Sequence, residues 1–384
     1  MEISGKVKSK KFFINFLGCE KIKLDTQRVY NYMKANGWKH TTKPEDADSI
    51  IFLTCAFCKK YEDWSVSKLE KIVEKKKTEA SLIIGGCLTE IHPERLQIFP
   101  NPQLIETRTL EKLDRIFEMN VKMQEISDPN TTIFDSENKT KDKTEKFNTE
   151  ARNLYEEAKL GFKIRIDWGC RGNCAYCVTK LATKELKSKP VDQVISEIEN
   201  AIQNHEPTIF LTGGDTGAYG LDFGGSIVDL FEKILPMNGA FKISIQDFGI
   251  HWLIRYQARL IPLLKSNREK LGAWCFPIQS GSDSILKKMQ RPYEIADVLS
   301  LLKKLKQEVP ELQIGTHFII GFPGETDEEF KKTLDFFKEA PLDFLNVFRY
   351  TDHMRADSHG FPDKISENTI LERENLFEIE FYEK

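Results

Sequence analysis

The stretch KIRIDWGCRGNCAYC, residues 163–177, joins a short apolar strand to a loop that carries three cysteines. Cys170, Cys174 and Cys177 form a C-x3-C-x2-C arrangement, with no fourth ligand type at short range. Three thiolates can hold three irons of a [4Fe-4S] cluster and leave the fourth iron open for chemistry. A structural zinc site uses four ligands, so a zinc ion completed by a distant ligand is the alternative interpretation.

Strands and helices keep alternating downstream of this loop. Helical patterns such as VDQVISEIENAIQNH (191–205) and DEEFKKTLDFFKEA (327–340) separate most of the strands. Six strand–helix units predict a partial (β/α)6 barrel, whose reactive face is formed by the C-terminal ends of its strands. The cysteine loop follows the first strand and is therefore expected on that face. The six predicted strands cover residues 163–168, 208–213, 241–247, 273–279, 314–321 and 343–350.

The N-terminal part of the chain also alternates. Apolar runs at 12–18, 49–54 and 81–86 indicate buried strands, and amphipathic patterns at 25–37 and 63–77 indicate the helices between them. Strand, helix, strand, helix, strand predicts a small parallel sheet with crossover helices. The fold class is therefore α/β, a small N-terminal parallel α/β domain followed by the partial barrel.

Three further cysteines follow the three N-terminal strands. Cys19 comes after the first, Cys55 after the second and Cys87 after the third. Parallel strands place their carboxyl ends at one edge of the sheet, where sites form in open α/β folds. The three thiols are therefore expected to form a shared metal or cluster site. The alternative is scattered core cysteines, which are common as small buried residues.

Composition limits the function classes. The chain has 384 residues, a formal net charge of −3 and eight cysteines. This charge does not suit a dedicated nucleic-acid binder, and no apolar run is long enough for a membrane span. We expect a cytoplasmic protein, in which clustered cysteines indicate metal or redox sites. The expected domains are an N-terminal domain (1–126), a polar linker (127–155), the barrel (156–360) and an acidic amphipathic C-terminal helix (361–384).

These motifs together resemble the radical S-adenosylmethionine enzymes. The C-x3-C-x2-C loop has an aromatic residue, Tyr176, before its last cysteine, and LTGGDTGAYG (211–220) resembles the superfamily's Gly-Gly-Glu motif. The resemblance implies that S-adenosyl-L-methionine binds the open iron and is cleaved to a 5′-deoxyadenosyl radical. It also implies a set of cofactor-binding residues, namely Tyr176, Gly213, Gly214, Asp215, Gln279 and Ser280.

The stretches FPIQSGSDSILKKMQRPY (276–293) and GTHFIIGFPGETDEEF (315–330) resemble the methylthiotransferase branch, over about residues 11 to 360. This likeness implies a second, auxiliary [4Fe-4S] cluster on Cys19, Cys55 and Cys87 that delivers sulfur. It makes all six cluster cysteines catalytic, with an electron donor such as a flavodoxin or ferredoxin. We expect a monomer without membrane contact. Cys58, which forms a CxxC with Cys55, is interpreted as a bystander, with a redox pair or an alternative ligand as the other interpretations. Cys275 lies inside a predicted strand and is interpreted as a packing residue.

The substrate remains open between two classes. DTGAYG and its neighbours are most similar to the subgroup that acts on threonylcarbamoyl-adenosine in tRNA. The family's small RNA-gripping β-barrel domain is not matched by residues 363–384, which hold seven acidic and three basic residues. We therefore favour a protein or a ribosomally synthesised peptide as substrate, with tRNA as the alternative. A non-enzymatic zinc or iron–sulfur protein is the alternative of another class.

Overall fold

The computed structural model describes residues 10–134 and 150–383. The chain divides into two compact units. Among the described residues, the first unit holds 10–134 with 181–183, and the second holds 150–180 with 184–383. No helix in these described stretches combines the length and the apolar character that crossing a membrane requires.

The first unit contains a five-stranded sheet in the order β2-β1-β3-β4-β5, and every pairing in it is parallel. Three strands match the predicted ones closely, whereas β2 and β5 are two and three residues long and give no periodic signal. The strands are β1 Lys11–Phe16, β2 Lys39–His40, β3 Ser49–Thr54, β4 Ser81–Gly86 and β5 Gln103–Ile105. The helices are α1 Glu20–Ala35, α2 Lys59–Val73, α3 Leu88–Ile91 and α4 Leu113–Phe117.

The core of this unit extends past the predicted end of its domain at residue 126. Phe134 is buried, and its ring lies 5.8 Å from that of Phe16 and 6.1 Å from that of Tyr30. Residues 127–134 of the predicted linker therefore include part of the core of the first unit. Residues 135–149 of that linker lie outside the described residues.

The second unit contains a six-stranded parallel sheet in the order β13-β12-β11-β10-β9-β6. This confirms the predicted fold class of a small parallel α/β domain followed by a partial barrel. The six strands are β6 Phe162–Arg165, β9 Thr208–Thr212, β10 Lys242–Ile245, β11 Leu271–Cys275, β12 Gln313–Ile320 and β13 Phe344–Arg349. Two short strands, β7 Asp167–Trp168 and β8 Lys187–Ser188, form a separate antiparallel pair.

Helices follow the barrel strands and cover the sheet with apolar faces. The strand β11 ends at Cys275, before the predicted end at 279, because Pro277 has no N–H to continue the ladder. The helices of this unit are α5 Glu150–Ala158, α6 Thr179–Thr183, α7 Val191–Gln203, α8 Ile227–Ile234, α9 Ile250–Ser266, α10 Asp283–Lys288, α11 Ile295–Glu308, α12 Asp327–Glu339 and α13 Glu367–Glu383.

The helix α5 packs against residues of β9, β11 and β13, and it begins inside the predicted linker. The ring of Tyr155 stacks on Phe344 at 4.8 Å and meets Phe210 edge-on at 5.7 Å. Residues 150–155 are therefore helical, although we predicted a polar linker there. Their polar composition hid the helix, because a single buried aromatic carries most of its packing.

The helix α13 packs on the barrel through Phe377, whose ring lies 5.4 Å from Phe318 and 5.7 Å from Phe330. We predicted an amphipathic helix, but Ile379 and Tyr382 are exposed. Apolar side chains therefore occupy the outer face as well as the packed face.

Candidate functional site

The loop with Cys170, Cys174 and Cys177 begins directly after β7 and is shaped by short-range hydrogen bonds. The Cys170 amide donates to Lys184 O at 3.2 Å, and the Cys177 amide donates to Cys174 O at 3.1 Å. The Gly172 amide donates to Cys170 Sγ at 3.1 Å. A Cβ on Gly172 would lie 3.2 Å from Cys170 Sγ and 3.7 Å from Cys174 Sγ, so two sulfurs border the space that this glycine leaves empty.

This donor set fits an iron–sulfur cluster, because all three candidate ligands are thiols on one loop. Burial raises the pKa of Cys170 to about 12, and the charges of Asp215 and of the other two cysteines add to the effect. A thiol in such surroundings ionises only when a cation compensates the charge, as a bound metal centre does.

The segment 289–291 holds this loop from the other side. Met289 O accepts the Ala175 amide at 3.1 Å, and Gln290 Oε1 accepts Asn173 Nδ2 at 2.9 Å. Arg291 Nη1 donates to Cys174 Sγ at 3.3 Å. The sequence analysis quoted Arg291 within a motif but gave it no role, because nothing local places it beside a cysteine that is 117 positions away.

Gly213 and Gly214 were predicted to bind the cofactor, and in the structure both allow close packing within the protein. A Cβ on Gly213 would overlap the Asp167 carboxylate, and a Cβ on Gly214 would overlap the Gly169 carbonyl. The Gly214 amide donates to Asp167 Oδ1 at 2.6 Å. The two glycines therefore allow the loop after β9 to lie directly against the start of the cysteine loop.

This packing places Asp215 beside the cysteines. Its Oδ2 lies 3.9 Å from Cys170 Sγ, and its two carboxylate oxygens share the indole N–H of Trp252 at 3.0 Å each. Burial raises the pKa of Asp215 to about 6, while the Trp252 hydrogen bond and the charge of Arg291 oppose the rise. A carboxylate has about four acceptor positions, so Asp215 can still receive an ammonium group. Sequence reasoning missed Trp252 and Asp167.

Gln279 lies just beyond the end of β11 with a backbone φ of +80°, which is uncommon for a residue with a side chain. Its backbone bonds β12 on both sides, donating to His317 O at 2.7 Å and accepting the Ile319 amide at 2.9 Å. The side-chain Oε1 is buried, and no donor within the described part of the chain reaches it. A buried acceptor of this kind fits a ligand that carries N–H or O–H groups.

The two remaining predicted cofactor residues make mainly internal contacts. The Ser280 hydroxyl lies 3.2 Å from Thr333 Oγ1 and accepts the Ser282 amide at 3.2 Å, which fastens the loop to α12. Tyr176 packs against the apolar cluster that includes Met289 and Phe322, and burial raises its pKa well above the usual range.

In the first unit, Cys19, Cys55 and Cys87 follow β1, β3 and β4, which are adjacent strands of the sheet. Burial raises the pKa of Cys55, and the nearby thiols of Cys87 and Cys19 raise it further. Burial also raises the pKa of Cys87 to about 12, again with a contribution from Cys19. The three thiols thus lie near enough to interact, and they too suit an iron–sulfur cluster.

Hydrogen bonds around two of these cysteines fix their backbone. Ser65 Oγ accepts the Cys55 amide at 3.1 Å and donates back to Cys55 O at 2.9 Å. The Cys87 amide donates to Thr54 O at 3.0 Å. Gly86, which precedes Cys87, has a φ of +90°, and a Cβ there would overlap the Thr54 backbone.

The two remaining cysteines occupy different surroundings. Cys58 precedes α2, and its charge is one of the smaller influences that raise the pKa of Cys55. Cys275 is fully buried among Tyr155, Phe210 and Phe344, where it packs as an apolar residue.

Two family models match the chain. Residues 168–337 match the Radical SAM superfamily, and residues 11–105 match the Uncharacterized protein family UPF0004. The first match starts two residues before Cys170, and the second contains Cys19, Cys55 and Cys87.

Curated proteins with related sequences include two kinds of methylthiotransferase. The chain is 29% identical over 375 residues to ribosomal protein uS12 methylthiotransferase RimO of Chlamydia felis, covering 95% of this chain and 77% of that protein. It is 27% identical over 342 residues to a probable threonylcarbamoyladenosine tRNA methylthiotransferase of Pyrococcus horikoshii, and the alignment covers 89% of this chain and 77% of that protein.

Among solved structures, the radical S-adenosylmethionine methyltransferase TsrM of Kitasatospora setae superposes with a TM-score of 0.58. The two share 12% sequence identity, and the superposition covers 89% of this chain and 75% of the TsrM chain. At this identity the likeness concerns the fold alone.

Proposed function

Because this chain belongs to the radical S-adenosylmethionine methylthiotransferase family, we propose that it inserts a methylthio group at an unactivated C–H bond of a protein side chain. The observation that carries the proposal is the pair of three-thiol sites, each at the carboxyl ends of a parallel sheet. A single such site would serve radical chemistry alone, whereas the second offers a place for the sulfur to be donated.

In the second unit, Cys170, Cys174 and Cys177 hold the radical [4Fe-4S] cluster. Asp215 offers an acceptor for the cofactor's ammonium group, and Gln279 Oε1 offers a buried acceptor for another polar group. When bound, the cluster and S-adenosyl-L-methionine supply the one-electron chemistry that breaks such a C–H bond. Acid–base side chains, whose contribution is typically about 10²–10⁴-fold, do not supply it.

In the first unit, Cys19, Cys55 and Cys87 hold the auxiliary [4Fe-4S] cluster. Held by these three thiols, such a cluster would supply the sulfur to be transferred. Ser65 bonds the backbone of Cys55, and Gly86 allows the backbone turn that precedes Cys87.

A protein substrate is preferred for two reasons. The relative from Chlamydia felis, which aligns with 95% of this chain, is named for action on ribosomal protein uS12. The net charge of −3 also gives little general attraction to a phosphate backbone, which supplies most of the non-specific affinity for nucleic acids. The second candidate is a modified adenosine in tRNA, which the name of the Pyrococcus horikoshii relative supports.

One experiment separates the substrates. Anaerobically reconstituted enzyme, with S-adenosyl-L-methionine, sulfide and dithionite, is incubated in parallel with ribosomal protein uS12 and with undermodified bulk tRNA. Mass spectrometry of peptides and nucleosides should show a methylthio group on the protein alone. Modification of tRNA alone would replace the proposed substrate with the second candidate. The enzyme with Cys174→Ala serves as the matched inactive control.

Metal analysis tests the reaction class. The proposal requires about eight irons per chain, from two clusters. Stoichiometric zinc with no iron would instead indicate a structural metalloprotein and would overturn the proposal. Production of 5′-deoxyadenosine without any methylated sulfur would indicate a radical enzyme in which the cluster of the first unit only transfers electrons.

A further inference from the structure

We infer that Arg291 is a positioning residue that donates a charged hydrogen bond to the Cys174 sulfur and thereby raises the reduction potential of the radical cluster. The inference rests on the proposed ligation of that cluster by Cys174. It adds a residue outside the cysteine loop to the machinery that sets how readily the cluster accepts an electron.

The guanidinium of Arg291 is held in one orientation. Its Nη1 donates to Cys174 Sγ at 3.3 Å, its Nη2 donates to Pro277 O at 2.6 Å, and its Nε donates to Tyr293 Oη at 2.9 Å. The Tyr293 hydroxyl in turn donates to Ile278 O at 2.6 Å. The three nitrogens of the guanidinium therefore each have a separate acceptor. A lysine ammonium on a flexible side chain does not reproduce this arrangement.

The position of Arg291 beside the sulfur is set by its neighbours as well as by its own side chain. Met289 O and Gln290 Oε1 bond Ala175 and Asn173 on the cysteine loop. Asn173 and Ala175 lie on either side of Cys174, so we expect these two bonds to hold the loop when the guanidinium is replaced. The electrostatic effect of Arg291 can therefore be measured apart from the placement of the loop.

The positive charge acts within a poorly solvated site. Burial and the charge of Arg291 together lower the pKa of His251 to about 4. A charge that reaches His251 also reaches the Cys174 sulfur, to which Arg291 donates directly. Hydrogen bonds to cluster sulfurs and nearby charge both set the potential of such clusters, and a cation favours the more negative, reduced state.

The test uses a chain in which Cys19, Cys55 and Cys87 are replaced by Ala, so that only the radical cluster remains. The cluster accepts one electron from dithionite or a redox mediator, and electron paramagnetic resonance measures the reduced fraction at set potentials. R291M removes the charge and the donors, R291Q removes the charge, and R291K keeps the charge without the fork. R259M is the matched control, because Arg259 pairs with Asp229 and Glu232 through a half-exposed side chain.

With iron content unchanged, R291M and R291Q should lower the reduced-to-oxidised ratio of the cluster, measured at the midpoint potential of the parent, at least tenfold. A tenfold change in this ratio corresponds to a shift of 59 mV in the potential of a one-electron couple. R291K should fall between these two variants and the parent, and R259M should match the parent. If R291M loses its iron, the comparison is made with R291Q. The inference is overturned if iron-loaded R291M or R291Q has the same reduction potential as the parent. If the parent chain itself binds no iron, the proposed ligand set fails instead, so the two failures are distinguishable.

Discussion

The indole Nε1 of Trp252 lies 3.0 Å from each carboxylate oxygen of Asp215, so one N–H orients a buried acidic side chain beside the cysteine loop. Trp252 belongs to the first turn of α9, and Asp215 follows β9. The contact therefore links two successive strand–helix units of the barrel at the edge where the candidate site lies.

Replacing Trp252 by Phe should weaken binding of S-adenosyl-L-methionine. Loss of the indole N–H leaves a buried carboxylate short of a donor, at a cost of about 1–3 kcal/mol, and frees it to turn away from the site. Equilibrium dialysis with the reconstituted enzyme should show roughly a tenfold loss of affinity or more, since about 1.4 kcal/mol is tenfold. W64F is the control, because Trp64 is partly exposed in the first unit. An unchanged affinity in W252F would separate Asp215 from cofactor binding.

Replacing Gly214 by Ala should disrupt the radical site. The added Cβ would overlap the Gly169 carbonyl. Because both partners in this contact are backbone, relieving the overlap requires a shift of the main chain. Overpacking of this kind costs about 1–3 kcal/mol or more, and we expect a lower unfolding midpoint together with loss of the iron bound by the cysteine loop. G360A is the matched control, because nothing lies within 4 Å of a Cβ at Gly360. Full iron content in G214A would contradict the packing role of this glycine.

The fold and the placement of the six candidate cysteines could be predicted from the sequence because each depends on local signals. Apolar runs mark the strands, and the cysteines follow strands whose carboxyl ends have a known place in a parallel sheet. Cys55 and Cys87 illustrate this, since β3 and β4 match their predicted ranges and end directly before them.

The supporting contacts could not be predicted, because they join residues distant in sequence without any pattern. Arg291 and Cys174 are 117 positions apart, and Asp215 and Trp252 are 37 apart. The packing contacts of Gly213 and Gly214 were missed for a related reason. A glycine signals a close approach, but the sequence does not reveal that Asp167 and the Gly169 carbonyl are among the approaching groups.

Cysteine variants should separate ligands from bystanders in the first unit. Cys87→Ala removes one of three thiols at the strand ends and should lower the iron content from about eight to about four per chain. Cys58→Ala should retain all of it, because the three strand-end cysteines suffice for the cluster. Colorimetric iron and sulfide analysis of both variants, reconstituted side by side, makes the measurement. A halved iron content in C58A would show that Cys58 is a ligand.

Replacing Tyr155 by Ala should destabilise the barrel unit. Its ring stacks on Phe344 and contacts Phe210, and loss of a large buried aromatic costs about 3–5 kcal/mol. Y155F keeps the ring and should lie within about 1.5 kcal/mol of the parent, the usual range for one hydrogen bond. Denaturant unfolding of the reduced apoprotein provides the comparison. Equal stability of Y155A and the parent would show that residues 150–155 behave as a linker after all.

The buried ion pair between α13 and the loop after β12 should give stability a pH dependence. Glu325 Oε2 accepts Arg373 Nη1 at 2.8 Å and the Gly321 amide at 2.7 Å. Burial raises the pKa of Glu325 from 4.5 to about 7, although both hydrogen bonds oppose the rise. Between these values the folded chain holds a proton that the unfolded chain has released.

The free energy of unfolding should therefore contain a component that falls as the pH rises from 4.5 to 7, by up to about 1.4 kcal/mol per pH unit. Glu325→Gln cannot ionise and keeps an oxygen for both donors, so its stability should decline less steeply across this window. Urea unfolding at several pH values compares it with the parent and with E328Q, in which a mostly exposed neighbouring carboxyl is neutralised. Parallel pH profiles for E325Q and the parent would contradict the raised pKa of Glu325, and a flattened profile in E328Q would assign the effect to the surface instead.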